Sequence, residues 1–266
     1  MSGLLPTRTV EKPWGRDVLP GPFHAPVGQR IGEIWFEPPA ELPELLAKYI
    51  FTSEKLSVQV HPSNEQRPGE GKEECWLIIE AQPGARLAIG FKEPIGAEEM
   101  RAAAIDGSIE GLMEWHSVVA GDFFYIPANT VHAVGAGVSL IEVQQNSDTT
   151  YRLYDYGRPR ELHLEDAVSV AKGEKYTDPR RARIPAAGAH TLVDGPLFLL
   201  DQVEGHVPEE VAARYAGGPL LVMPREGPVH VAGREVVAGQ CALAMSLAEI
   251  EIAKWTVTLL ARPCAT

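Results

Sequence analysis

The stretch GDFFYIPANTVHAVG, from Gly121 to Gly135, combines a glycine turn, a run of strand-forming residues, a proline-restricted turn and a histidine. After Gly121 come five residues, Pro127, one residue, Asn129, two residues and His132. Proline fixes its own φ and cannot donate to a strand ladder, so the apolar run Phe123–Ile126 ends there. His132 is then presented at the start of the next strand.

Upstream, EKLSVQVHPSNE (Glu54–Glu65) alternates strictly in its middle. With a side-chain period of two, Leu56, Val58 and Val60 share one face, and Ser57, Gln59 and His61 share the other. GKEECWLIIEA (Gly71–Ala81) places Glu74 on the face of Trp76 and Ile78, while Cys75, Leu77 and Ile79 take the opposite one. A carboxylate that opens an apolar strand needs a partner. Gln59, His61, Glu74 and His132 together offer an amide oxygen, two imidazoles and a carboxylate. That set suits Zn²⁺ and, to a lesser degree, Fe²⁺ or Mn²⁺, with positions left open for water or substrate. Taken singly, each has an ordinary explanation: a histidine beside a proline is more often exposed or hydrogen-bonded than a ligand, and Glu73-Glu74 is a solvated charge run.

Short apolar runs between turn signals recur along the chain, as in IGEIWFEPP, RLAIGF and VSLIEVQQN, which is the rhythm of a β-sandwich or barrel. Helical spacing is expected in AELPELLAKYIF, GAEEMRAAAIDGSIEGLMEW and HLEDAVSVAKG. A mostly helical stretch from Arg158 to Ala186 marks the expected boundary between two β-domains, residues 1–160 and 161–266. The 25 glycines and 22 prolines, beside 45% apolar residues, describe a turn-rich globular chain. A net charge of −12 opposes nucleic-acid binding, which needs cations to replace phosphate counterions. Cys75, Cys241 and Cys264 are too few and too scattered for a disulfide framework or a cysteine zinc site. The first residues have no apolar signal core, and no stretch nears bilayer length, so a cytoplasmic protein without a membrane partner is expected, a monomer or small homo-oligomer.

The Gly-x5-Pro-x-Asn-x2-His spacing resembles the second motif of cupins, whose jelly-roll barrel brings such a histidine to a metal. Asn129 stands where glycine is usual, and Gln59-x-His61 replaces His-x-His in the first motif. LSVQVHP, GKEECWLII, GDFFYIPANTVHAVG and IEVQQNSDTTYRLYDYGR together resemble the class I, zinc-dependent mannose-6-phosphate isomerases in their short bacterial form. The resemblance starts near KPWGRD, runs to about Arg158 and continues more loosely. It implies an all-β fold of two cupin-like jelly rolls with a few peripheral helices, the first jelly roll carrying the site.

Carried over residue by residue, the resemblance implies zinc ligands at Gln59, His61, Glu74 and His132, with Glu74 preferred to Glu73 because the family pattern is Gly-Lys-x-Glu. It implies substrate-pocket residues at Lys72, Glu142 and Arg152. Alternation supports Glu142, which shares a strand face with Leu140 and Gln144. Without the resemblance, Lys72 would read as a solvated loop residue and Arg152 as a surface salt bridge. The implied reaction moves a proton between C2 and C1 of mannose 6-phosphate and fructose 6-phosphate through a cis-enediol. Glu142 is the best placed base, with Lys72 or a zinc-bound water as alternatives, and Arg152 would grip the phosphate.

The His61–Lys72 segment is shorter than the family suggests, and the large helical insertion of the bigger enzymes is absent. REGPVHVAGREVVAGQCALAM looks like a decayed copy of the cupin pattern: Gly239 matches Gly121, but no proline or histidine follows at the right spacing. The second domain is therefore expected to hold no metal. Two other classes stay open: an iron-dependent cupin dioxygenase, identified by iron content and oxygen uptake, and a non-catalytic sugar-phosphate-binding cupin without turnover.

Overall fold

The computed structural model describes residues 1–264, so the last two residues of the expected second domain lie outside the described residues. A seven-stranded antiparallel sheet runs in the order 182–183, 122–126, 74–81, 138–145, 45–51, 31–36 and 7–16. It faces a five-stranded sheet in the order 151–154, 58–60, 132–134, 86–91 and 113–117. Together they form the first jelly roll. Trp14, Ile50, Trp76, Ile78, Ile89, Val134 and Leu140 pack between them.

The outer faces of the two sheets are also covered. Val58, Val60, Ala88, Ala133 and Leu153 on the five-stranded sheet pack on Met100, Ala103 and Ala104 of helix Ala97–Asp106 and on Ala167 and Val170 of helix Leu164–Val170. On the seven-stranded sheet, Tyr49, Phe51, Cys75, Leu77, Tyr125, Ile141 and Val143 pack on Phe198, Leu200, Leu221, Met223 and Leu259 of a six-stranded sheet. That sheet belongs to the second jelly roll and is closed by a three-stranded ribbon (229–231, 234–236 and 250–252) over a core that includes Val203, Tyr215, Val222, Val229, Val236 and Leu260. The all-β cupin fold with few helices is as expected.

Burial on both faces explains one misjudged element. Leu45–Phe51, expected as the end of a helix from Ala40, is a strand between Ile31–Phe36 and Val138–Gln145, and every residue in it is buried. A strand enclosed on both faces loses its alternation, so its apolar residues also fit a helical period. Leu56 also departs from expectation. It precedes the Val58–Val60 strand and packs inside the barrel, while Val58 and Val60 face the helices.

The stretch from Arg158 to Ala186 contains a single helix, Leu164–Val170. Beyond it the chain lies against the first barrel: Ile95 N donates to Gly173 O at 2.8 Å and Phe91 N to Glu174 O at 2.9 Å. A side chain at Gly173 would meet Ile95 O at 2.0 Å, so this close approach requires glycine and an extended chain. The jelly rolls exchange strands: Gly3–Leu4 pairs with Ala242–Leu243 of the second, and Ala182–Arg183 pairs with Asp122–Phe123 of the first. Among the described residues no helix is long and apolar enough to cross a membrane.

Candidate functional site

Two facing sheets deliver the polar residues. On the five-stranded sheet, Gln59 sits between His132 and Arg152 as cross-strand partners. On the seven-stranded sheet, Glu74 pairs with Gln144, and Glu142 lies between Trp76 and Lys48. His61 follows its strand directly, and its loop is stapled by Asn129, whose N–H donates to His61 O at 2.8 Å. Asn129 has φ of 71°, the left-handed region that glycine occupies freely and that asparagine tolerates better than most residues. The Asn-for-Gly departure therefore keeps the backbone shape of the turn that presents His132.

His61, Glu74 and His132 are all buried, and one ligand atom of each lies within 4.8 Å of the others. His61 Nε2 is 3.4 Å from Glu74 Oε2, and His132 Nε2 is 3.4 Å from Glu74 Oε1. Each imidazole places Nδ1 2.9 Å from a backbone carbonyl, Thr149 O for His61 and Thr130 O for His132. Donation from Nδ1–H leaves both Nε2 lone pairs aimed at the cluster. Burial pushes both imidazoles below their ordinary value, His61 further than His132, with the nearby Lys72 ammonium adding to the effect at His61. Neutral imidazoles are the ligand form.

Glu74 Oε1 is buried without a hydrogen-bond donor. Burial pushes this carboxyl up, but the Lys72 ammonium, then His132 and Lys48, outweigh it and hold Glu74 below the usual carboxylate range. Lone pairs converging on one point, with an orphaned anionic oxygen among them, fit a cation, so the three residues can hold a metal ion. Gln59 lies beside them but turns its Nε2 toward His132 Nε2, at 3.3 Å, and accepts from the Ser57 hydroxyl at 3.0 Å through Oε1.

Lys72 is 4% exposed, so it is not a solvated loop residue. Its ammonium bonds Glu74 Oε2, lies 3.2 Å from His61 Nε2 and is 3.6 Å from Glu142 Oε1. From there a file of alternating charges crosses the barrel. Lys48 Nζ lies 2.8 Å from Glu142 Oε1 and 4.0 Å from Glu33 Oε2, and Lys12 Nζ lies 3.3 Å from Glu33 Oε1. Burial pulls Lys48 down, but Glu142 and then Glu33 more than reverse it and raise the ammonium above its ordinary value. A carboxylate oxygen has two acceptor positions, so the Lys48 contact at 2.8 Å leaves one on Glu142 Oε1.

Lys12, Glu33, Lys48, Gln59, Lys72 and Glu142 line a cavity of about 360 Å³, and His61, Glu74 and His132 lie beside it, in contact with Lys72 and Gln59. Arg152, Arg160 and His163 line the same cavity. Among the described residues Arg152 makes no salt bridge; its Nε donates to Glu161 O at 3.1 Å. Burial and the neighbouring Arg160 guanidinium lower Arg152 from its ordinary value. Arg160 is fixed by two hydrogen bonds of 2.6 Å to the buried Asp155. Of the seven sequence-derived residues, Gln59, Lys72, Glu142 and Arg152 line the cavity, while His61, Glu74 and His132 form the cluster that touches Lys72 and Gln59. Sequence reasoning missed Lys48, Glu33, Lys12, Arg160 and His163. Only Lys48 carried a signal, as a lone lysine inside an apolar run.

No protein-family profile matches the chain. The mannose-6-phosphate isomerase of Streptococcus mutans is 40% identical over 185 residues, 64% of this chain and 58% of that protein. ManA of Bacillus subtilis, a mannose-6-phosphate isomerase, is 44% identical over 137 residues, 47% of this chain and 43% of that protein. The matched part thus spans about half the length of these curated relatives. Among solved structures, the mannose 6-phosphate isomerase from Bacillus subtilis superposes with a TM-score of 0.79 at 24% identity, covering 98% of this chain and 99% of that one. A phosphomannose isomerase variant from Salmonella typhimurium superposes with a TM-score of 0.76 at 12% identity, over 99% and 100% of the two chains. The chain is thus a homologue of proteins named mannose-6-phosphate isomerase and has the cupin fold of the class I phosphomannose isomerases.

Proposed function

We propose that this protein interconverts mannose 6-phosphate and fructose 6-phosphate with one zinc ion per chain. The observation that carries the proposal is the buried cluster of convergent His61, Glu74 and His132 lone pairs, touching Lys72 and Gln59, which line a cavity together with Glu142, Arg152 and Arg160. In this reading His61, Glu74 and His132 hold the metal. Gln59 joins them through its amide oxygen once the carboxamide makes a half-turn, which the Ser57 hydroxyl accommodates because it can donate or accept. Bound zinc would supply a Lewis acid that steadies negative charge developing on a substrate oxygen.

The chain's own residues do the rest. Glu142 takes the proton from C2 of the open-chain aldose as the C1=C2 bond of the cis-enediol forms, then returns it to C1, with the hydroxyl protons relocating between O2 and O1. Lys72 offers an ammonium donor to those oxygens. Arg152 and Arg160 grip the phosphate dianion, for which planar guanidiniums give paired donors. The same reading divides the chain near residue 160 into a catalytic jelly roll and a metal-free one, with helix Leu164–Val170 as the link.

The test is metal analysis of the purified protein followed by NMR of mannose 6-phosphate incubated with it. About one zinc per chain and appearance of fructose 6-phosphate are expected, with both lost in His61→Ala and His132→Ala. Full metal content in both variants would overturn the ligand assignment. Wild-type protein that turns over no mannose 6-phosphate would overturn the activity.

A further inference from the structure

A lysine at the centre of LLAKYIF is costly. The strand around it is buried throughout, and a lone ammonium in such a place survives only if it is paired. Lys48 is paired twice, with Glu142 and with Glu33. Glu33 is held in turn by the Trp35 indole N–H and by Lys12, and the Lys48 ammonium also lies 5.1 Å from the Trp35 ring centroid. By contrast, Lys72 is already bonded to Glu74 and close to His61. Lys48 is the nearer of the two cations to Glu142, at 2.8 Å from Oε1 against 3.6 Å for Lys72.

We infer that Lys48 is a positioning residue for the proposed reaction: its ammonium fixes the angle at which the Glu142 carboxylate meets the sugar, without touching the sugar carbons or exchanging a proton. This rests on the proposed role of Glu142. Two contacts define the carboxylate's plane, Trp76 Nε1 to Oε2 at 2.9 Å and Lys48 Nζ to Oε1 at 2.8 Å. Remove the second and the carboxylate turns about the first. Of the two acceptor positions on Oε1, the Lys48 contact takes one and leaves the other for a proton. Glu33 completes the device: while Glu142 carries the proton and is neutral, Lys48 still has an anionic partner. A pair serving stability alone needs no second carboxylate, and apolar side chains in its place are commonly as stable.

The test is steady-state kinetics with mannose 6-phosphate on Lys48→Met, Glu142→Gln and the double variant, together with metal content and the melting temperature of chelator-treated protein. Lys48→Met should lower kcat about 10- to 100-fold, the scale expected for a displaced catalytic group, with KM and zinc content unchanged. In the Glu142→Gln background it should change kcat no further, because nothing remains to be oriented. The melting temperature should fall in Lys48→Met and recover in the double variant, where no unpaired carboxylate is left buried. Should Lys48→Met fail to fold, Lys48→Gln reads the same quantities. Wild-type kcat in the lysine variant, or losses that multiply in the double variant, would overturn the inference. An inactive wild-type protein would instead overturn the proposed activity, and the melting-temperature cycle would still test the Lys48–Glu142 coupling.

Discussion

The indole nitrogen of Trp76 donates to Oε2 of Glu142 at 2.9 Å, between cross-strand neighbours on the inner face of the seven-stranded sheet. Glu142→Gln keeps the shape and removes the basicity. Turnover of mannose 6-phosphate should fall by roughly two to four orders of magnitude, the contribution of a positioned general base. Zinc content should stay unchanged, and exchange of the C2 proton with solvent deuterium, followed by NMR, should slow in parallel. Near-normal turnover would move the proton transfer to Lys72, and loss of zinc would place Glu142 in the metal's support.

Arg152 lines the cavity and has no carboxylate partner among the described residues. Arg152→Ala should raise KM for mannose 6-phosphate far more than it changes any reaction of free mannose, because a contact remote from C1 and C2 is shared by ground and transition states. Kinetics on both sugars check this. Equal effects on the two would remove the phosphate from Arg152.

Acid should destabilise the chelator-treated protein before its carboxylates titrate. His61 and His132 are pushed below 6.5, so between their folded and unfolded values the unfolded chain binds more protons and stability rises with pH. Their contribution is complete above about pH 7 and drains as pH falls through 6.5, by about 1.4 kcal/mol per pH unit for each histidine. Glu74 and Glu33, held below 4.5, lose theirs only at lower pH. Melting temperatures between about pH 5 and 8 should therefore slope upward in wild type and flatten in a His61→Gln, His132→Gln double variant. An equal slope in both would put the titration elsewhere.

Asn129 at φ of 71° should resist ordinary side chains. Asn129→Ala should cost about 1–2 kcal/mol of stability from backbone strain and weaken zinc retention, since the turn it shapes presents His132 and anchors the His61 loop. Asn129→Gly should keep the backbone and lose only the side-chain bonds. Chemical denaturation and metal analysis of the two variants separate these effects. Alanine no worse than glycine would show that φ is not what matters here.

The five-stranded sheet was legible because its faces differ: Gln59 points to the polar cavity and Val58 and Val60 to helices, so the alternation survives in the sequence. The same holds for Glu142 between Ile141 and Val143. Leu45–Phe51 was not legible, because burial on both faces erased the alternation, and Lys48 was lost with it. Arg160 and His163 enter the cavity only because the chain turns back after Asp155, where a tight ion pair fixes Arg160. No local periodicity encodes such a return. Gln59, His61, Glu74 and His132 were found together because four spaced motifs carried them, while Glu33 and Lys12 lie outside any motif.

The reciprocal loan of strands ties the fate of one jelly roll to the other. Gly3–Leu4 is supplied by the first jelly roll to the six-stranded sheet, and Ala182–Arg183, beyond the proposed site residues, edges the seven-stranded one. A fragment cut at residue 160 would leave the Asp122–Ile126 strand as an unpaired edge and would expose Tyr49, Leu77 and Ile141 to water. Each half thus completes a sheet of the other and covers its apolar face. The second jelly roll therefore acts as a scaffold: its sheet covers the outer face of the strands whose inner face carries Glu74 and Glu142, and a substitution there would reach the proposed site through the shared wall.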